Sequence, residues 1–243
     1  MKNLKTIYTI AFLIAFGLTA CEKDYEDLYT VTNYANFDMQ GDEVIFNPFG
    51  SPFTDPGIKA TEAGNEIPVT TTVSGDFFGA SSFDANVTDR YLYNYSATNS
   101  DGYEATTSRY VYNVNTGNLV DNIEGLYTST VFRNGTSGAQ YTDMEYVIIS
   151  KSGDNTYKLS DAIGGWYELG RALGVGYRAP GMTITANNIA ANDFTFGTTE
   201  VGTFGGVVTM KTMTVNPADK TIVITNDWDA GYSFEITLKQ VQL

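Results

Sequence analysis

The densest concentration of chemically capable side chains in this sequence is a glycine-rich stretch holding Asp161, Trp166, Tyr167, Glu168, Arg171, Tyr177 and Arg178. A second set, Asp227, Trp228, Asp229 and Tyr232, lies near the C-terminus. A sugar ring presents an apolar face of C–H groups and a rim of hydroxyls, so its binding sites pair a flat aromatic ring with carboxylate, amide or guanidinium partners. Both sets supply that pairing, and they nominate Asp161, Trp166, Tyr167, Glu168, Arg171, Trp228 and Asp229 as ligand-binding residues. The competing reading is packing. Trp and Tyr are commonly buried, and Arg171 or Arg178 would then pair with Asp161 or Glu168 across strands. For Tyr91, Tyr93 and Tyr95 packing is the stronger reading, because spacing of i, i+2, i+4 puts all three on one face of a strand.

Histidine is absent. This removes Ser-His-Asp and Cys-His nucleophile systems, imidazole zinc sites and any histidine pH switch. No glycine-rich phosphate loop with its lysine is present, and the glycine pairs at 164–165 and 205–206 fit neither nucleotide fingerprint. In Asn226-Asp227-Trp228-Asp229-Ala230-Gly231 the glycine falls one position early for a calcium loop and the closing Glu is missing. Neither a metal nor a cofactor is expected. A glycosidase would need two carboxyls about 5–10 Å apart beside an open cleft. Its candidates are Asp161, Glu168, Asp227 and Asp229, but a non-catalytic protein is the favoured reading.

The elements that must hold these residues are strands. Thr, Val, Tyr and Phe recur in short alternating runs separated by Gly, Asn, Asp and Pro, and no convincing amphipathic helix interrupts them. The only helical suspect is Trp166 to Ala172, set between glycines. Strands are expected at Glu43–Phe46, Val69–Val73, Arg90–Ala97 and Ala105–Val114, with a hairpin turn at Asn99-Ser100-Asp101-Gly102. Small polar residues at 115–118 suggest a linker. Beyond it a run of hairpins is expected: Leu126–Arg133, Met144–Lys151, Tyr157–Leu159, Met182–Ala186, Asp193–Phe196, Val207–Val215, Thr221–Thr225 and Ser233–Val241. Turns at Asn134-Gly135, Ser152–Asn155 and Asn216–Lys220 separate them. Consecutive strands with short turns favour an up-and-down meander that closes on itself, bringing loops of one end together.

Ser51-Pro52-Phe53-Thr54-Asp55-Pro56-Gly57-Ile58-Lys59-Ala60, followed by Tyr95-Ser96-Ala97-Thr98-Asn99-Ser100-Asp101-Gly102-Tyr103-Glu104-Ala105-Thr106, resembles the bacterial immunoglobulin-like repeat of surface proteins. Asn99 stands where an acid is usual and Tyr103 where Asn is usual. The resemblance covers roughly residues 31–114 and implies a small β-sandwich, often a spacer. The expected fold class is therefore all-β: an immunoglobulin-like sandwich over 31–114, then an antiparallel meander or barrel-like domain over 119–243.

At the other end, Lys2 and Lys5 precede an apolar run from Ile7 to Leu18, then Leu18-Thr19-Ala20-Cys21. The run is short for a membrane span, which takes about 20 apolar residues, and reads as a signal peptide over 1–20. It resembles the lipobox of bacterial lipoproteins, which implies a diacylglyceryl group on Cys21. That cysteine is the only one in the chain, so it cannot form an internal disulfide. Several acyl chains, at about 0.8 kcal/mol per buried methylene, would make the anchor effectively permanent. Residues 21–30 begin with Glu22-Lys23-Asp24-Tyr25-Glu26-Asp27, which reads equally as a flexible acidic tether and as a segment resembling the export signal of Bacteroidetes surface lipoproteins. The formal net charge is −14, and loss of the two leader lysines makes it more negative. Such a surface repels nucleic acid.

This layout, with the C-terminal segment Leu159-Ser160-Asp161-Ala162-Ile163-Gly164-Gly165-Trp166-Tyr167, resembles a Bacteroidetes surface lipoprotein family found beside polysaccharide-uptake systems of the starch-utilisation type. The resemblance implies an accessory protein, lipid-anchored in the outer membrane and exposed at the cell surface. Expected partners are the membrane, a polysaccharide or an outer-membrane transporter complex, with no nucleic acid. A structural or assembly role with an outer-membrane protein is the alternative.

Overall fold

The computed structural model describes residues 31–243. The leader, Cys21 and the 21–30 tether lie outside the described residues. In the first segment β1 (Asn36–Met39), β3 (Ile58–Glu62) and β4 (Asn65–Ile67) form one sheet. The other has β2 (Val44–Pro48), β7 (Glu104–Val114), β6 (Asp89–Thr98) and β5 (Thr70–Gly75) in the order β2-β7-β6-β5. Tyr91, Tyr93 and Tyr95 point from β6 into the space between the sheets and are buried there with Val111, against Phe37, Phe53 and Ile58.

The immunoglobulin-like motif has a structural use. Asp55 Oδ1 accepts the Gly57 N–H at 3.1 Å, closing a turn, and also accepts from Arg109 Nη1; Oδ2 accepts the Tyr95 hydroxyl at 2.8 Å. Arg109 is fully buried and donates through Nε to the Asp42 carbonyl at 2.9 Å. Asn99, the unusual residue of the hairpin, uses its amide instead: its oxygen accepts the Tyr103 N–H at 2.7 Å and its nitrogen donates to the Asn33 carbonyl at 2.8 Å.

The second segment is a single nine-stranded antiparallel sheet, nearly closed into a barrel. Its strands are β8 (Gly125–Arg133), β9 (Met144–Lys151), β10 (Thr156–Leu159), β11 (Met182–Asn188), β12 (Asp193–Phe196), β13 (Thr198–Glu200), β14 (Val207–Asn216), β15 (Thr221–Trp228) and β16 (Tyr232–Gln240). Each strand pairs with its neighbour in sequence, and β16 returns to β8. The exception completes the ring. β12 and β13 flank Gly197 as two halves of one strand, the first half on β11 and the second on β14.

A barrel of about eight strands has an interior that side chains can just fill. Tyr127, Val131, Ile222, Ile224, Phe234, Ile236 and Leu238 alternate inward and fill this one. The remaining space is taken by the chain itself. Ser160–Gly165 dips into the barrel, where Ser129 Oγ donates to the Gly164 carbonyl at 2.8 Å and the Asn226 amide donates to the Ala162 carbonyl. Gly164 has φ +65°, and a Cβ there would sit 2.8 Å from Ile236 Cγ2 and Val131 Cγ2. Only glycine fits both that backbone and that space.

The two domains share a packed seam. Tyr112 and Val114 of β7 lie against Leu126 and Ile148 on the outer face of β8 and β9, and Tyr146 meets Phe46 and Tyr112 edge-on at 5.8 and 5.3 Å. The segment expected to be a linker is itself held: Gly117 N–H donates to the Glu124 carbonyl at 2.8 Å and Gln240 Nε2 to the Gly117 carbonyl at 2.9 Å. Leu119 and Ile123 then enter the barrel core.

Candidate functional site

Four loops gather at one end of the barrel: 134–143, 160–181, 201–206 and 229–231. The long second loop caps that end, and its suspected helix is a single π-helical turn, Trp166–Gly170. Gly165, at φ +83°, starts the turn. Gly170 and Arg171 N–H donate five residues back, to Gly165 and Trp166. Such one-turn π segments recur at functional sites.

The turn and the C-terminal hairpin bring the two sequence-nominated sets together. Tyr167 meets Trp228 edge-on at 5.9 Å, and Phe204 from the third loop packs against Tyr167 at 4.9 Å, Tyr177 at 5.0 Å and Trp228 at 6.3 Å. Tyr232 stacks on Trp228 at 5.5 Å. Arg133 lies over Trp166 at 4.9 Å and Tyr232 at 4.6 Å, and its Nη1 donates to the Tyr167 hydroxyl at 3.0 Å. A cation held between ring faces stiffens the cluster.

Exposure within the cluster is uneven. Phe204 is 51% exposed, whereas Trp228 is 6% and Trp166 4%. Trp228 Nε1 donates to the Gly205 carbonyl at 3.1 Å, and Trp166 stacks on Tyr141 with centroids 3.5 Å apart and planes 8° from parallel. Both tryptophans therefore support the rim from beneath, and Phe204 presents the open ring. Asp229 and Arg171 are exposed, Asp229 beside Gly206 and Arg171 on the second loop. Gly206, with φ +79°, leaves no room for a Cβ between Trp228 and Asp229, which lets the Phe204 loop close down on the hairpin.

The acids nominated within the second loop are engaged. Asp161 is fully buried, its Oδ1 accepting from Ile163 and Ala179 N–H at 2.9 and 3.1 Å and its Oδ2 from Gly165 at 3.2 Å. Burial pushes its carboxyl up to about 7, against the pull of those N–H groups and of Arg178. Glu168 receives Arg178 side-on and faces Arg90 of the first domain. Asp227 pairs with Lys211 on the outer face of the barrel at 3.3 Å. Among the described residues no group of three or more Asp, Glu, Cys or His comes together as a metal-binding set.

Phe204, Arg133 and Tyr141 belong to the cluster but were not nominated from the sequence. Phe204 had a readable signal: one large aromatic in a loop of Gly202, Gly205 and Gly206, where nothing local can bury it.

Residues 116–240 match a family model described as a C-terminal domain, and residues 37–112 match the model of the bacterial surface protein, Ig-like domain. Among solved structures, the crystal structure of the lipoprotein BT2262 from Bacteroides thetaiotaomicron is similar, with a TM-score of 0.63 and 25% sequence identity over 85% of this chain and 100% of that one. No curated protein matches.

Proposed function

Because the chain belongs to the BT2262-like family of bacterial surface lipoproteins, we propose that it is a non-catalytic glycan-binding accessory protein of a polysaccharide-uptake system. Its body is held at the outer face of the outer membrane by lipid on Cys21. The observation that carries this reading is the Phe204 rim. A half-exposed ring is braced by Tyr167, Tyr177 and Trp228 and flanked by the free carboxylate of Asp229. An aromatic held rigid before it meets a ligand loses little entropy on binding a sugar face. Engagement of Asp161 by backbone N–H groups and of Glu168 by Arg178 leaves neither free to act in a carboxylate pair, which favours binding over hydrolysis.

Affinity electrophoresis through gels containing plant and microbial polysaccharides tests the reading. Phe204→Ala should reduce the retardation shown by the natural chain, and Asp229→Asn should weaken it. Trp166→Phe, which changes only the support, should leave it intact. Retardation unchanged by Phe204→Ala excludes the rim. A protein partner is the second reading, favoured by Leu173 and Val175, exposed at 43% and 53% on the adjoining loop. Capture of an outer-membrane transporter, lost on Leu173→Asp, with no retardation in any gel, would select it.

A further inference from the structure

We propose a second saccharide site in the seam between the two domains, centred on Phe49 and far from the Phe204 rim. Two crevices of about 410 and 450 Å³ open along this seam, and Phe49 lines both. Each falls within the range of about 300–1,000 Å³ usual for ligand pockets, which favour domain boundaries. Lys151, Gly153 and Asp154 of the first crevice sit on the β9–β10 hairpin, at the barrel end opposite the rim loops.

The walls are fixed before any ligand arrives. Phe49 is the first central residue of a turn in which Ser51 N–H donates to the Pro48 carbonyl at 3.0 Å, and Gly50 supplies the positive φ of +80° that the next position needs. Gly50 N–H donates to the Ala85 carbonyl at 2.8 Å, and Asn47 Nδ2 to the Ser51 carbonyl at 2.8 Å. The facing loop is pinned by Asn113, whose Nδ2 donates to the carbonyls of Ala85 and Val87 at 2.9 and 2.8 Å. On the barrel side Glu124 is buried, with Oε1 accepting Lys151 N–H at 3.0 Å and Oε2 accepting Asn115 Nδ2 at 2.8 Å. The domains that carry these walls are clamped together by the Tyr112 and Leu126 cluster, so the crevice does not depend on a hinge.

The lining chemistry suits a neutral oligosaccharide. Phe49, 38% exposed, offers a ring to C–H groups, while exposed Asn86, Lys151 and Asp154 offer an amide, a donor and an acceptor around it. The second crevice is mostly apolar, lined by Phe46, Pro48, Val114 and Leu243 beside Phe49, with the Thr116 hydroxyl buried behind that surface. One lysine set against Glu124 and Asp154 gives no preference for an anion.

The proposal shares its ligand class with the rim, but either site can fail alone. Isothermal titration of the mature chain with maltohexaose, cellohexaose, xylohexaose and mannohexaose tests both. At least one sugar should bind. In the Phe204→Ala background, where the seam is the site left, its affinity should fall tenfold or more on adding Phe49→Ala, fall measurably on adding Asn86→Ala, and be restored by Phe49→Trp, with the thermal midpoint of each variant near that of the natural chain. Phe49 and Asn86 are surface residues, so these variants should fold. Binding that is unchanged in Phe49→Ala and Asn86→Ala but lost in Phe204→Ala overturns the seam site and keeps the rim. Binding lost in Phe49→Ala alone keeps the seam and overturns the rim. Absence of heat with all four sugars overturns the seam proposal.

Discussion

Glu168 and Arg178 form a side-on pair within the second domain, with Nη2 2.6 Å from Oε1 and Nε 2.9 Å from Oε2. Arg90 of the first domain stands 3.5 Å from the same Oε1. The pair is closed from the other side by Asp76, which takes Arg90 Nε at 2.6 Å and lies 3.4 Å from Arg178 Nη2. Phe77 completes the joint, with the guanidinium groups of Arg90 and Arg178 over its ring at 4.6 and 4.4 Å. Two acids and two arginines balance one another where water scarcely reaches, at the point where the sandwich meets the barrel.

Breaking such a buried set by removing one charge costs about 3–5 kcal/mol, because the partners stay buried without compensation. Glu168→Gln should therefore lower stability by about that amount in urea denaturation. Calorimetry should show one unfolding transition for the natural chain, because the seam couples the domains. Two well-separated transitions in the natural chain would refute the coupling.

Much of the strand layout was legible because the turns announce themselves. Asn134-Gly135 and Asp101-Gly102 supply the positive φ that tight hairpins need, and the alternating runs beside them are β8, β6 and β7. β1, β3, β4 and β13 are not legible in the same way, because at three to five residues they are too short for an alternation such as that of Asn36-Phe37-Asp38-Met39 to stand out. Convergence of Tyr167 and Trp228 followed from closure of the meander. The fate of the acids did not, since Glu168 meets Arg90, 78 positions earlier in the chain, only through the domain seam. Nor does the sequence reveal that Ser160–Gly165 enters the barrel; that depends on space left between the inward side chains of three neighbouring strands, β8, β16 and β15.

Asp161 gives the barrel a pH dependence of known sign. Its carboxyl ordinarily titrates at 3.8, and burial raises it to about 7 in the fold. Between these values the folded chain holds a proton that the unfolded chain has released, so this group's stabilising contribution is complete below pH 3.8 and declines as pH rises toward 7. The slope is at most about 1.4 kcal/mol per pH unit. Urea midpoints of the natural chain and of Asp161→Asn, measured from pH 4 to pH 8, isolate it from the other acids. The natural chain should lose ground to the variant as pH rises to 7, then run parallel to it. A difference that is flat, or that moves the other way, would show that the backbone N–H groups hold Asp161 ionised throughout.

Two glycines with similar backbones separate conformational strain from crowding. Gly164 and Gly135 have φ of +65° and +73°, so alanine is disfavoured at either. At Gly135 an added Cβ meets nothing within 4 Å, while at Gly164 it meets Ile236 Cγ2, Val131 Cγ2 and Ser129 Oγ at 2.8–2.9 Å. Gly135→Ala should therefore cost only the left-handed penalty of about 1–2 kcal/mol. Gly164→Ala should cost that plus about 1–3 kcal/mol of overpacking, since the plug cannot back out without abandoning the Ser129 and Asn226 hydrogen bonds. Equal losses for the two variants in urea denaturation would mean that the Ser160–Gly165 segment is not packed inside the barrel. The larger loss at Gly164 would show the lumen to be filled by the chain's own backbone.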